Sequence, residues 1–69
     1  MELFLKRVAD ILDVPQVEPG TRFRETEGWC SLMAFGLLVM MENDYKRPLA
    51  IEEFMRLETV GELFSRISP

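Results

Sequence analysis

The sequence predicts an all-α fold: a small four-helix bundle with a long first loop and a short third helix. Two observations carry this expectation. Apolar residues recur at three- and four-residue spacing in separate stretches, and no stretch shows the strict alternation of a half-buried strand. Prolines and glycines stand between these stretches, where they end helices without interrupting them. The chain has 69 residues, 48% of them hydrophobic. That is enough for one domain over residues 1–69, with a core expected to supply no more than ~3–5 kcal/mol of net stability.

Phe4, Val8, Ile11 and Leu12 fall on one helical stripe, with Glu2, Lys6, Arg7 and Asp10 on the other side. This predicts an amphipathic first helix over Glu2–Leu12. Pro15 sets its outer limit, because the residue before a proline is pushed out of helical space. Asp13 to Trp29 then reads as a long connection punctuated by Pro15, Pro19 and Gly20. Such a loop is uncommon in a small domain unless it is functional or ordered, and Phe23 and Trp29 are expected to pin it to the core. The second helix is predicted from Ser31, taken as its N-cap, to about Tyr45. Leu32, Phe35, Leu38 or Val39, and Glu42 trace one stripe, and Leu37, Met41 and Tyr45 trace the next. A helix apolar on both stripes is expected at the centre, packed on more than one side.

Pro48 breaks the chain, and Leu49-Ala50-Ile51 leads into a very short helix through Glu52, Glu53 and Arg56. Two acids first and a base last suit the helix dipole. Thr59-Val60-Gly61-Glu62 has the form of a capping box, in which the threonine hydroxyl accepts from the third amide while the glutamate reaches back to the cap. It opens a last helix, Val60 to Ile67, expected to bury Val60, Leu63, Phe64 and Ile67. Leu57 and Leu63 are placed to staple its start or to join the core.

The charges narrow the function. Twelve Asp plus Glu stand against eight Lys plus Arg, with no His and one Cys. A net charge of −4 argues against nucleic acid as a partner, since phosphates need a basic stripe. Without an imidazole there is no Ser-His-Asp or Cys-His set. A zinc site is not expected without His or a second Cys, and one cysteine makes no internal disulfide. The most apolar stretch, Leu32 to Met41, is ten residues long, about half of the ~20 that cross a bilayer. Met1 to Arg7 lacks the basic-then-apolar order of a signal peptide. Together with a lone thiol, which suits a reducing compartment, this points to the cytoplasm. No catalytic and no metal-ligating residue is assigned. The composition describes a binding or carrier module, not a self-sufficient enzyme.

Chemistry enters at Gly28-Trp29-Cys30-Ser31-Leu32. A serine where a loop meets a helix start lies beside unpaired backbone N–H groups and the positive end of the dipole, surroundings that tolerate a phosphodiester. With no base of its own, Ser31 is no hydrolytic nucleophile, but it can accept a group delivered by another enzyme. These residues resemble the acyl carrier protein family, whose motif is Asp-Ser-Leu at the opening of the second helix. Here the matching residues are Cys30-Ser31-Leu32. The resemblance continues through Glu42-Asn43-Asp44-Tyr45, Leu49, Ile51-Glu52-Glu53 and Leu57-Glu58-Thr59-Val60-Gly61-Glu62-Leu63, and upstream through Arg22-Phe23-Arg24-Glu25. Trp29 before the motif is similar to stand-alone carriers of surface-polysaccharide or secondary-metabolite pathways.

The resemblance implies a bundle of acyl-carrier type and a carrier function. A phosphopantetheinyl transferase would place 4′-phosphopantetheine from coenzyme A on Ser31, making a phosphoprotein. An acyl- or aminoacyl-activating ligase would load the arm as a thioester, and a downstream transferase or synthase of fatty acid, polyketide or secondary-metabolite type would use it. The protein itself is expected to be a monomer, with neither nucleic acid nor membrane among its partners. Cys30 and Leu32 flank the attachment point and are candidate partner contacts. Met33, Gly36 and Met40 stand where the family carries outward acids on its second helix, which points to an apolar, adaptable docking face. Glu52 and Glu53 are further partner candidates. From the residues alone, Cys30 reads as a small buried hydrophobe or a neutral replacement, with a reactive thiol as the alternative. Trp29 reads as loop packing, Met41 as core, and Met33 and Met40 as outward. The competing functional reading is an unmodified helical interaction module of the same shape, self-associating through its Met-rich helix.

Overall fold

A computed structural model describes residues 1–67. It contains four α-helices, α1 Glu2–Leu12, α2 Ser31–Asn43, α3 Ile51–Phe54 and α4 Val60–Ser65, with a 3-10 turn at Phe23–Glu25 inside the first loop. Among the described residues there is no strand, and the sole β-type pairing is an isolated antiparallel bridge between Arg22 and Thr59. The all-α expectation therefore holds, and α1 has the bounds read from its periodicity.

Helix α1 buries Phe4, Val8, Ala9 and Leu12. It ends at Asp13, whose backbone is left-handed (φ 58°, ψ 46°) and whose N–H turns back to the carbonyls of Ala9 and Asp10. Pro15 follows two residues later, where a helix can no longer continue. The long loop is ordered by aromatic contacts and by pairing with α4. Phe23 is fully buried and lies 5.7 Å from Trp29 and 5.3 Å from Phe54, centroid to centroid. Both residues expected to pin the loop do so. Arg24 adds a bridge, donating from Nη2 to the Phe54 carbonyl at 2.6 Å while its guanidinium lies over the Phe23 and Phe54 rings. The Val60 N–H donates to Thr21 O at 3.0 Å and the Gly61 N–H to Pro19 O at 2.8 Å. Gly61 permits this approach, since a Cβ there would stand 3.0 Å from the Pro19 carbonyl oxygen.

Helix α4 begins with the predicted capping box. Thr59 Oγ1 accepts from the Glu62 N–H at 3.2 Å, and Glu62 Oε1 accepts from the Thr59 N–H at 2.8 Å. The same oxygen also takes the Glu58 N–H at 2.8 Å. These bonds hold the Glu62 carboxyl below the ordinary glutamate value, the Glu58 amide being the largest cause and the Thr59 amide the next. A second aromatic group closes the far side of the bundle, where Phe4 meets Tyr45 and Phe64 edge-on at 5.5 and 5.3 Å.

Several expectations are corrected. Helix α2 stops at Asn43, short of Tyr45, because Lys46 turns left-handed (φ 58°). Helix α3 begins at Ile51 and excludes Arg56, which lies beyond its end. Helix α4 ends at Ser65, and Phe64 and Ile67 are half-buried against the core while Val60 and Leu63 are fully enclosed. Helix α2 packs on more than one side, as expected, burying Leu37, Met40 and Met41 with Met33, Ala34 and Leu38 beside them, and it leaves Leu32, Phe35 and Val39 exposed, at 77%, 63% and 37%.

Candidate functional site

The loop enters α2 through one permissive residue. Gly28 has φ 85°, a left-handed geometry open to glycine and strained for most other residues. The Trp29 N–H closes the turn on Thr26 O at 3.0 Å, and Trp29 is half-buried against Phe23. The chain then extends through Cys30 (φ −153°, ψ 170°) and becomes helical at Ser31. The N-cap is therefore Cys30, not Ser31. Its carbonyl accepts the Met33 and Ala34 N–H groups at 3.0 and 3.3 Å, but its side chain caps nothing.

Ser31 occupies the first helical position and is exposed. No hydrogen bond engages its hydroxyl among the described residues. The amides of Ser31 and Leu32 have no intrahelical acceptor, as in every helix start, and α2 carries no acid in its first turn. The result is a free primary hydroxyl on a rigid helix, beside two amides that can face an anion. An exposed, uncommitted oxygen of this kind fits a tethered phosphodiester: nothing must be displaced to attach one. Cys30 is exposed as well, which overturns its reading as a small buried hydrophobe.

The structure also sorts the residues expected to meet partners. Cys30 and Leu32 flank Ser31 and are exposed. Met33 is partly buried against the core, and Met40, expected outward, is 4% exposed. Gly36 faces α1, where a Cβ would meet Ile11 Cγ2 at 3.1 Å. Glu52 is exposed. Glu53 is engaged within the chain, its Oε2 taking Arg66 Nη1 at 2.9 Å and its Oε1 lying 3.4 Å from the Ala50 N–H. The apolar outer face of α2 exists, but it is made of Leu32, Phe35 and Val39, each one position before the Met33, Gly36 and Met40 expected. On a helix one position is about 100° of rotation. Ile51 and Met55, 52% and 62% exposed, add apolar surface at α3 that sequence reasoning did not single out. The signal that could have set the face was Gly36, the small residue that marks the close approach of another helix.

The comparisons with known proteins come to one match. A family model described as the phosphopantetheine attachment site aligns with residues 2–67, almost the whole chain and with Ser31 inside it. No curated protein and no solved structure matches significantly.

Proposed function

The chain belongs to the phosphopantetheine-attachment family, a domain type that carries covalent 4′-phosphopantetheine, and on that premise we propose that Ser31 is the residue bearing the arm. The observation that carries this reading is the exposed, uncommitted hydroxyl of Ser31 at the first position of α2. Attachment forms a bond from Ser31 Oγ to phosphorus and releases the nucleotide portion of coenzyme A. The serine proton must pass to a base on the modifying enzyme, since this chain has no His. When bound, the group supplies a terminal thiol that holds an acyl or aminoacyl cargo as a thioester. The chemistry belongs to that group and to the partners, and the protein presents it.

Carrier domains of this type work with phosphopantetheinyl transferases and biosynthetic enzymes. Here the partners would be such a transferase, an acyl- or aminoacyl-activating ligase and a downstream transferase or synthase, met by a monomer in the cytoplasm. The exposed Leu32, Phe35 and Val39 beside Ser31 support an apolar docking face, with Cys30 at its edge. This replaces Met40 and Gly36, which the fold turns toward α1, and leaves Glu52 as the acid still available. No helix of the described residues is long and apolar enough to cross a membrane.

Intact-mass analysis after incubation with coenzyme A and a broad-specificity phosphopantetheinyl transferase tests the reading. The wild-type chain is expected to gain one adduct and Ser31→Ala none. Cys30→Asp is expected to be modified faster, because it restores the carboxylate of the resembled motif. An unmodified wild-type chain would instead favour the interaction-module reading, in which case light scattering at high concentration should show self-association.

A further inference from the structure

We propose that Arg24 is a positioning residue for the modification of Ser31: it fixes the rotation of α3 against the loop that delivers Ser31, and so the apolar surface that α3 offers the modifying enzyme. This rests on Ser31 being the attachment point. Helix α3 has four residues, Ile51–Phe54, too few to hold a helix alone. Phe54 is its one buried residue, and burial is non-directional. The ring against Phe23 sets how deep α3 sits but not how it is turned. The ion pair from Glu53 to Arg66 lies at the surface, where such pairs hold little. Arg24 supplies the direction. Its Nη2 donates to the Phe54 carbonyl at 2.6 Å, at the end of α3 where carbonyls lack helical partners and a cation is favoured. The guanidinium is itself held, 4.9 Å from the Phe23 ring centroid and 5.4 Å from that of Phe54.

Packing alone does not call for an arginine here. Its Nε is buried without a hydrogen-bond partner among the described residues, and a buried unpaired N–H is unfavourable. An aliphatic side chain would fill the space against two aromatic rings with no such cost. The bond to Phe54 is what the guanidinium adds. The rotation it fixes decides what α3 turns outward. Ile51 and Met55 stand four apart, on one side of α3 and its cap, and both are exposed. Leu49, two residues before α3, shares a groove with Phe35, Leu38 and Val39 of α2. The exposed apolar surface of α2 thus continues through Leu49 to α3. Arg24 lies seven residues before Ser31 in the same loop, so one side chain ties that surface to the segment ending at the attachment point.

The test has two arms. In the first, NMR follows amide hydrogen exchange in the unmodified chain at Phe54 and Met55, whose N–H groups bond to the Ala50 and Ile51 carbonyls. Arg24→Met keeps an apolar stem and removes the donor. It is expected to speed their exchange about five- to tenfold relative to the Val8 amide of α1, the loss that one charge-assisted hydrogen bond allows. Unaltered exchange overturns the hold on α3. The second arm measures the kinetics of a phosphopantetheinyl transferase with coenzyme A and the chain as substrate. Arg24→Met is expected to raise KM for the chain about two- to fivefold, within the same bound. It should leave kcat unchanged, because it alters presentation and not the reacting hydroxyl. Arg24→Lys keeps a charged donor and is expected to recover part of the loss. Arg22→Met removes the same charge from an exposed position paired with Glu25, and should leave KM within about a factor of two. An unchanged KM in Arg24→Met, a loss confined to kcat, no recovery with lysine, or an equal rise in Arg22→Met overturns the role. A wild-type chain that takes no adduct defeats the reading of Ser31, and this role with it. A modified wild type with an unmoved KM in Arg24→Met defeats the role alone.

Discussion

Helices α2 and α4 each begin beside a hydroxyl residue, Ser31 in one and Thr59 in the other. At α4 the hydroxyl is the cap itself, and it is bonded to the Glu62 amide while the Glu62 carboxylate binds the amides of Thr59 and Glu58. At α2 the hydroxyl sits one residue inside the cap, on a helix whose Cys30 cap offers no side-chain bond. The same chemical group is thus used for stability in one place and left free in the other. A hydroxyl that satisfies a backbone amide is held in one geometry and has to give up a bond before it can react. One that caps nothing contributes little to folding and can be approached by another protein. The first loop holds both starts in place, through Phe23 and Trp29 on the α2 side and through its bonds to Val60 and Gly61 on the α4 side.

Making the same alanine substitution at both starts gives the largest expected contrast. Thr59→Ala should lower stability by ~1 kcal/mol, the usual cost of a lost N-cap, whereas Ser31→Ala should stay within about 0.5 kcal/mol of wild type. Urea unfolding of the two variants measures the difference, and equal losses would mean that the Ser31 hydroxyl is structural after all. A smaller effect, of opposite sign, follows from giving α2 the cap it lacks. Cys30→Asp places an acceptor and a negative charge at a helix start, and should raise the unfolding midpoint by the equivalent of ~0.5–1 kcal/mol. A midpoint that fails to rise would show that the extended Cys30 backbone does not let a carboxylate reach the first-turn amides.

The contrast between the two starts was only half legible in the sequence. Thr59 and Glu62 stand at a spacing with one common structural meaning, so the box and the start of α4 could be read directly. The stripe from Phe4 to Leu12 was equally plain, because polar residues occupy its other side. Helix α2 offered no such asymmetry. Residues 32–41 are apolar on every side, so periodicity could say that a helix forms there but not which way it turns. The resemblance accordingly puts the outward face one residue late, on Met33, Gly36 and Met40. Packing against Ile11 of α1 decides the rotation, a long-range contact that the apolar periodicity does not encode and that the small Gly36 alone signals. The cap of α2 differs from the one its residues suggest for a related reason. Serine is the better cap by chemistry, but the backbone turns helical one residue earlier, after Cys30. The Arg22–Thr59 bridge, one pair long, left no alternation to find.

The smallest expected effect isolates the carboxylate half of the α4 box. Two backbone amides bond Glu62 Oε1 and hold its carboxyl below the ordinary value. The unfolded chain lacks these bonds, so the folded state prefers the ionised form more strongly than the unfolded state does. Stability from Glu62 is then complete above the ordinary glutamate value of about 4.3 and is lost as pH falls through the depressed folded value. Glu62→Gln keeps an oxygen for the two amides but removes the titration. Wild type should therefore lose unfolding midpoint faster than Glu62→Gln as the pH drops below about 4.3, and the two should run parallel above it. Because Glu62 is exposed, water and salt screen the charge and keep the divergence small. Parallel curves over the whole acid range would show that the box acts at α4 through its hydrogen bonds alone, with the charge contributing nothing.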